Sequence, residues 1–272
     1  GVGKSTLMGM IARNSEADIN VVALIGERGR EVKEFMEHSL GEEGMKRSVL
    51  VCSTGDQPPL MRMKCLQTAT AISEYFRDQG KKVFMMTDTV TRAAMSGREV
   101  GLAVGEPPTM KGYPPSIFSW LQKVLERSGV TEKGSITALY TVLVEGDDIN
   151  DPVCDTVRGI IDGHIMMSRK IAAQNHFPAI DVLGSVSRLF NEVADPEHKK
   201  AAGTMRELMA TYAEAKDLID VGAYEHGANP KIDLAISKIN DINGFLKQSV
   251  SELVSMDDTI ERLKASMQGV QL

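Results

Sequence analysis

The chain begins with Gly1-Val2-Gly3-Lys4-Ser5-Thr6, which matches the second half of the phosphate-binding motif G-x-x-x-x-G-K-[ST]. In this motif, backbone N–H groups surround the phosphates, the lysine reaches the terminal phosphates and the hydroxyl residue ligates Mg²⁺. The stretch therefore predicts a nucleoside-triphosphate site. The first glycine of the motif and the strand that leads into the loop would precede Gly1. We therefore expect the sequence to be a fragment that lacks both, and expect this fragment alone to bind ATP poorly and to be marginally stable.

The composition is that of an ordinary globular protein, with 42% hydrophobic and 25% charged residues in 272. No run of about 18 apolar residues occurs, so no membrane span is predicted. The three cysteines, Cys52, Cys65 and Cys154, are scattered without metal-ligand spacing, which predicts reduced thiols. The net charge of −6 argues against a nucleic-acid partner, because nucleic-acid binders usually carry a basic face.

Residues 1–190 alternate between short apolar runs and helical stretches, the pattern of an α/β fold. The apolar runs show little two-residue alternation, which is typical of strands buried on both faces of a mostly parallel sheet. Helices are predicted over Glu31–Leu40 and Met63–Gln79, and a proline-rich loop over Gly105–Pro115. The predicted strands are Val21–Ile25, Val49–Ser53, Val83–Thr87, Ile136–Val144, His164–Met167 and Ala179–Val182.

From about Asn191 the pattern becomes purely helical. Apolar residues recur at helical spacing in three stretches, around Leu208, Ile239 and Leu263, with glycines and Pro230 between them. We interpret these stripes as core faces rather than cofactor-binding segments. The sequence therefore predicts a small C-terminal domain of three or more helices over residues 191–272, after a core domain over residues 1–190.

Charged residues follow three of the predicted strands. Gly26-Glu27 follows the first, Asp88 follows the third, and Arg188 lies beyond the last. Ligands of open α/β sheets bind at the carboxyl ends of the strands, so Glu27 is a candidate to activate water and Asp88 a candidate Mg²⁺ ligand. The alternatives are a solvated turn for Glu27, a helix cap for Asp88 and a surface salt bridge for Arg188.

Several longer blocks of sequence carry a resemblance. They include GERGREVKEF at 26–35, GEPPTMKGYPPSIF at 105–118, DTVRGIIDGHI at 155–165 and VGAYEHG at 221–227. Together with the first six residues, they resemble the type III export ATPase family. These are flagellar and virulence-secretion relatives of the catalytic subunit of rotary ATP synthases. The resemblance covers essentially the whole chain, favours the flagellar branch and implies a RecA-like P-loop NTPase core with a mostly parallel sheet.

The resemblance also implies roles for individual residues. Glu27 would polarise the attacking water, Lys4 would bind the terminal phosphates, and Arg188 would be an arginine finger given to the adjacent subunit. The Mg²⁺ shell would comprise Ser5, Glu31 and Asp88. The remaining ATP-binding positions would be Gly1, Gly3, Ser5, Thr6, Arg28, Arg92, Phe177, which faces adenine in place of the commoner tyrosine, and Tyr224. Thr87 stands where the family usually has Met or Ile.

The implied function is Mg²⁺-dependent ATP hydrolysis by a translocase that energises flagellar protein export, releasing substrates from their chaperones. The implied assembly is a homohexamer that meets export chaperones, substrates, a stalk and stator proteins. It would be cytoplasmic and peripheral to the inner-membrane export gate. The alternatives are an injectisome ATPase, a non-hydrolysing nucleotide-binding ring subunit, and an RNA-translocating ring helicase. Glu27 argues against the non-hydrolysing subunit, and the acidic balance argues against the helicase.

Overall fold

The computed structural model of the chain describes residues 2–144, 146, 148 and 150–270. It divides into two compact units. The sheet unit comprises residues 8–161, and the second unit comprises residues 1–7 and 162–272. Helix α1, Lys4–Asn14, contributes residues to both. None of the helices in the described ranges combines the length and the apolar character that a membrane crossing needs.

The sheet unit is built on five strands in the order β2-β1-β3-β5-β4. The first four of these pair in parallel, whereas the short β4 is antiparallel to β5. The strands are β1 Ile19–Ile25, β2 Ser48–Ser53, β3 Lys82–Asp88, β4 Gly129–Val130 and β5 Ser135–Tyr140. Parallel pairing places the carboxyl ends of β1 and β3 at one edge, with Leu24 opposite Asp88.

Helices connect the strands of this unit. Three of them begin with proline in the first turn, where a missing N–H costs nothing. The helices after α1 are α2 Gly29–Glu34, α3 Gly41–Lys46, α4 Pro59–Asp78, α5 Val90–Ala103, α6 Pro115–Leu125 and α7 Pro152–Ile160. A π-helical segment, Phe35–Leu40, continues α2, and a 3₁₀ turn covers Met110–Gly112.

Side chains on β1 and β3 alternate between two cores. Val22, Leu24 and Met86 pack on one face with Met8 and Ala12 of α1. The opposite face packs on α4, and its buried members are Val21, Ala23, Ile25, Cys65, Leu66, Ala69, Val83, Met85, Ala93, Val124 and Ile136. Because each fully buried aliphatic side chain contributes about 1.5–3 kcal/mol, this two-sided burial fixes the strand register.

The second unit holds a two-stranded antiparallel sheet and a set of helices. Its strands are β6 Gly163–Met167 and β7 Ile180–Ser187. Its helices are α8 Arg169–Ala173, α9 Phe190–Val193, α10 Pro196–Asp220, α11 Pro230–Leu246 and α12 Met256–Ser266. Met205, Leu208, Ile242 and Leu263 join α10, α11 and α12 in one apolar core, as the helical stripes predict.

Several details differ from the sequence predictions. The helix predicted over Met63–Gln79 begins at Pro59 and ends at Asp78. The strand predicted over Ile136–Val144 ends at Tyr140, because the next residues turn to bond the segment that follows β3. The strands predicted at His164–Met167 and Ala179–Val182 pair antiparallel with each other instead of joining the parallel sheet, and β7 is partly exposed. The helix predicted over Glu31–Leu40 begins at Gly29 and changes to π geometry at Phe35. The domain boundary near residue 190 stays a prediction.

Candidate nucleotide site

Glu27 lies immediately beyond the end of β1. Gly26, which precedes it, has a φ of +71°, and a Cβ there would lie 2.8 Å from Cδ of Arg92. Only glycine combines this left-handed backbone with so close an approach. The turn at Gly26 therefore serves to bring Glu27 and Arg92 together at the carboxyl edge of the sheet.

Arg92 holds the Glu27 carboxylate. Its Nε lies 3.3 Å from Glu27 Oε1, its Nη2 lies 3.5 Å from Oε2, and its Nη1 donates to the carbonyl of Gly26. The Glu27 side chain is only 13% exposed, whereas the Arg92 side chain is 39% exposed, so the carboxylate is shielded from water more than the guanidinium is. Arg92 itself lies in the first turn of α5, where its N–H bonds to Thr89 Oγ1, the N-cap of the helix. The end of β1, the residues just after β3 and the start of α5 therefore fix the position of the Glu27 carboxylate.

Arg28 and Glu31 lie beside this pair. Arg28 is the N-cap residue of α2, and its backbone N–H lies 3.4 Å from Glu31 Oε2. A hydrogen bond with the Glu27 carboxyl lowers the pKa of Glu31; partial burial opposes this shift, and Arg28 and Arg30 add to it. The structure therefore brings Glu27, Arg28, Glu31 and Arg92 into one group.

Asp88 ends β3 and is buried, with 4% of its surface exposed. It follows Met86 by two residues, so its side chain starts from the sheet face that α1 covers. Thr141 Oγ1 lies 3.1 Å from Asp88 Oδ1. No cluster of three His, Cys, Asp or Glu side chains suited to a metal occurs among the described residues. Mg²⁺ is commonly held by one or two carboxylates, phosphates and water, so a single buried aspartate fits it.

The described part of the phosphate loop lies in the second unit. Gly3 has a φ of +85°, and Lys4 begins α1, with Ser5 and Thr6 exposed in its first turn. A helix N-terminus presents backbone N–H groups and favours anions, as a phosphate site requires. Gly1 lies outside the described residues.

Phe177 lies beside the loop. A Cβ on Gly3 would be 3.8 Å from the Phe177 ring, which is 42% exposed. The carbonyl of Phe177 accepts a hydrogen bond from the N–H of Gln248, in the segment after α11. The ring is thus accessible next to the phosphate loop, where a base could stack on it.

Arg188 and Tyr224 lie elsewhere in the second unit. Arg188 is exposed just beyond β7, and its N–H bonds to the carbonyl of Asp162. The Tyr224 hydroxyl lies 3.0 Å from the carbonyl of Asn229, at the end of the loop before α11, and 2.9 Å from Oδ1 of Asp233 in the first turn of α11. Desolvation, then the bond to Asp233, raises the pKa of Tyr224. The observed contacts of Tyr224 connect its loop to the start of α11, and its part in binding adenine stays a prediction.

Two residues near these groups were not found from the sequence. Thr141 contacts Asp88, but it was placed inside a predicted strand. Gln248 bonds to Phe177 through its backbone N–H, and such a bond cannot be predicted from the identity of the side chain.

Comparison with known proteins adds the family. Residues 1–187 match the model of the ATP synthase alpha/beta family, nucleotide-binding domain. The chain belongs to this family. Residues 194–265 also match the model of the T3SS EscN ATPase C-terminal domain, which places the chain in the type III export branch. The family predicted from the sequence blocks is therefore confirmed.

Individual relatives agree with the family models. It is 56% identical to the "Flagellum-specific ATP synthase" of Bacillus subtilis (strain 168), over 97% of this chain and 60% of that protein. A solved structure of the assembled ATPase EscN of the enteropathogenic E. coli type III secretion system superposes with a TM-score of 0.94 at 52% identity. That match covers 98% of this chain and 64% of the EscN chain. A second EscN structure, in complex with its central stalk EscO, superposes with a TM-score of 0.91 at 50% identity. The chain thus spans about three fifths of the length of these relatives.

Proposed function

We propose that the protein hydrolyses ATP with Mg²⁺ and uses the energy to drive flagellar type III protein export. One observation carries the proposal, namely the Glu27 carboxylate, shielded from water and held by Arg92 at the carboxyl edge of the parallel sheet. A general base needs a fixed carboxylate near the reacting phosphate, and this edge is where α/β sheets bind their ligands. A non-hydrolysing ring subunit would not need a carboxylate at this position.

The proposed chemistry assigns one task to each group. The N-terminus of α1 and Lys4 bind the phosphates, and Phe177 stacks on the base. Glu27 accepts a proton from the water that attacks the γ-phosphorus, while Arg92 holds its carboxylate in position and faces the developing negative charge. Asp88 and Ser5 would hold Mg²⁺, with Glu31 nearby. When bound, the ion neutralises charge on the phosphate oxygens.

The assembly we propose is a homohexamer, with Arg188 reaching the nucleotide of the neighbouring subunit. A trans arginine of this kind contributes about 10³–10⁵ in rate where it has been measured. The assembled EscN structures support the ring, and the EscN–EscO complex supports a central stalk partner. We propose further that the hexamer binds export chaperones, substrates and stator proteins, and that it lies at the inner-membrane export gate.

An injectisome ATPase is the second candidate, because the EscN chain is 52% identical to this one. Deleting the gene separates the two. We expect the deletion strain to stop secreting flagellar hook and filament subunits while its virulence effectors are still secreted. The opposite pattern would assign the protein to the injectisome, and unchanged secretion of both would refute the export function.

The enzymatic part is tested on the purified full-length gene product. We expect phosphate release from ATP that requires Mg²⁺ and that Lys4→Ala abolishes. Lys33→Ala is the matched control, because it removes an exposed lysine paired only with the exposed Glu37 in the described contacts. Phosphate release that is equal in both variants would contradict the assignment of the phosphate loop.

A further inference from the structure

The residues that follow β5 run alongside the turn that follows β3. The N–H of Thr141 donates to the carbonyl of Thr87 at 3.0 Å, and its carbonyl accepts from the N–H of Val90 at 2.9 Å. Two residues on, the N–H of Leu143 donates to Thr91 Oγ1 at 2.8 Å. Backbone bonds on both sides therefore fix the position of Thr141 relative to Asp88.

The Thr141 hydroxyl points at the acid. Its Oγ1 lies 3.1 Å from Asp88 Oδ1 and 3.0 Å from the carbonyl of Thr87. A hydroxyl has a single hydrogen, and a carboxylate acceptor gives the stronger bond because it is charged. Asp88 is 4% exposed, so little water competes for this bond.

We propose that Thr141 is a positioning residue that sets the rotation of the Asp88 carboxylate for Mg²⁺. This inference rests on the proposed function, in which Asp88 belongs to the Mg²⁺ shell. Mg²⁺ demands near-ideal octahedral geometry, so a carboxylate that turns freely binds it less well. Groups that orient metal-binding side chains typically contribute about 10- to 100-fold in metal affinity.

The chain offers a closely matched control. Thr87 is adjacent to Asp88 and fully buried, but its Oγ1 has no hydrogen-bond partner among the described residues. Side chains alternate along β3, so the Thr87 hydroxyl lies on the opposite face from Asp88. Thr87→Val and Thr141→Val therefore make the same chemical change in two residues beside Asp88, and only Thr141→Val removes a hydrogen bond to the Asp88 carboxylate.

The experiment measures ADP binding to the full-length gene product by calorimetry, in EDTA and across a Mg²⁺ titration. For Thr141→Val we expect the Mg²⁺ concentration that gives half of the full change in ADP affinity to rise about tenfold. The ADP affinity in EDTA should stay within about twofold of the parent. Thr141→Ser, which keeps the hydroxyl, and Thr87→Val should both match the parent.

If ADP binding by the parent depends on Mg²⁺, two results would overturn the inference about Thr141 without touching the proposed Mg²⁺ site. One is parental Mg²⁺ dependence in Thr141→Val. The other is an equal shift in Thr87→Val, which would mark a general packing effect. A parent whose ADP binding ignores Mg²⁺ would overturn both this inference and the proposed Mg²⁺ site, so the two failures are distinguishable.

Discussion

Arg47 binds the C-terminal end of helix α1, the helix that begins at the phosphate loop. Its Nη2 donates to the carbonyls of Ala12 and Arg13 at 3.0 and 2.6 Å, and its Nη1 donates to those of Ser15 and Ala17 at 2.7 and 3.2 Å. The last carbonyls of a helix lack partners within the helix, and a cation there is favoured by the helix dipole. We expect Arg47→Met to release this end of α1.

The magnitude follows from these four bonds. A hydrogen bond to a charged group contributes roughly 1.5–3 kcal/mol, but the four bonds share one guanidinium and do not add. Water can replace some of them, and Ala12 keeps a second partner in the Asn20 side chain, at 3.2 Å. We therefore expect Arg47→Met to lower the local free energy of opening by about 2–3 kcal/mol. Lys has three donors and no planar fork, so Arg47→Lys should lose about half as much.

Hydrogen exchange in the full-length gene product measures this effect locally. In peptides covering residues 8–20, Arg47→Met should speed exchange roughly 30- to 150-fold, since about 1.4 kcal/mol corresponds to tenfold. Lys46→Met is the control, because it removes an equal charge at the neighbouring position, where the lysine is exposed and pairs with the exposed Glu43. Acceleration below about threefold, or equal acceleration in both variants, would refute the reasoning.

Three further predictions concern other contacts. The side-chain hydrogen bond from Arg127 lowers the pKa of Glu74, against partial burial. Glu74→Gln should therefore reduce stability at pH 7. This difference in unfolding midpoint should be full above the ordinary pKa of glutamate, about 4.3, and should vanish as the pH falls further through the lowered pKa of the folded state; a pH-independent difference would contradict it. Phe177→Ala should weaken binding of a fluorescent ATP analogue about tenfold through lost stacking, while an unchanged Kd would exclude stacking. Arg188→Ala should nearly abolish turnover, and mixed rings with Lys4→Ala subunits should recover part of it; no recovery would exclude action in trans.

Much of the fold could be predicted because local patterns carried it. The strands that end near Glu27 and Asp88 are short apolar runs, and parallel pairing brings their carboxyl ends to one edge. The direction of pairing at β6 and β7 could not be predicted, because an apolar run has no signal for the orientation of its partner. The helical stripes at Leu208 and Ile242 predicted a shared core, since their period alone defines a buried face.

The site was predicted less completely, because its contacts join distant parts of the chain. The resemblance indicated that Arg92 belongs near phosphate, but its ion pair with Glu27 depends on a helix start that meets the end of another strand. The contact of Thr141 with Asp88 could not be predicted, because β5 ends one residue before Thr141 and this end depends on hydrogen bonds to residues 87–91. Such long-range bonds leave no periodicity in the sequence.

The most direct test of the central claim is single-turnover ATP hydrolysis by Glu27→Gln in the full-length gene product. Glutamine keeps an oxygen that can accept the Arg92 bond, but it cannot take a proton from water. We predict that hydrolysis falls at least about hundredfold, the usual contribution of a general base, while ATP affinity stays within about threefold. Glu34→Gln, at an exposed position on helix α2, which follows Glu27, should behave as the parent. Hydrolysis by Glu27→Gln within about tenfold of the parent would contradict the claim that this carboxylate activates the water.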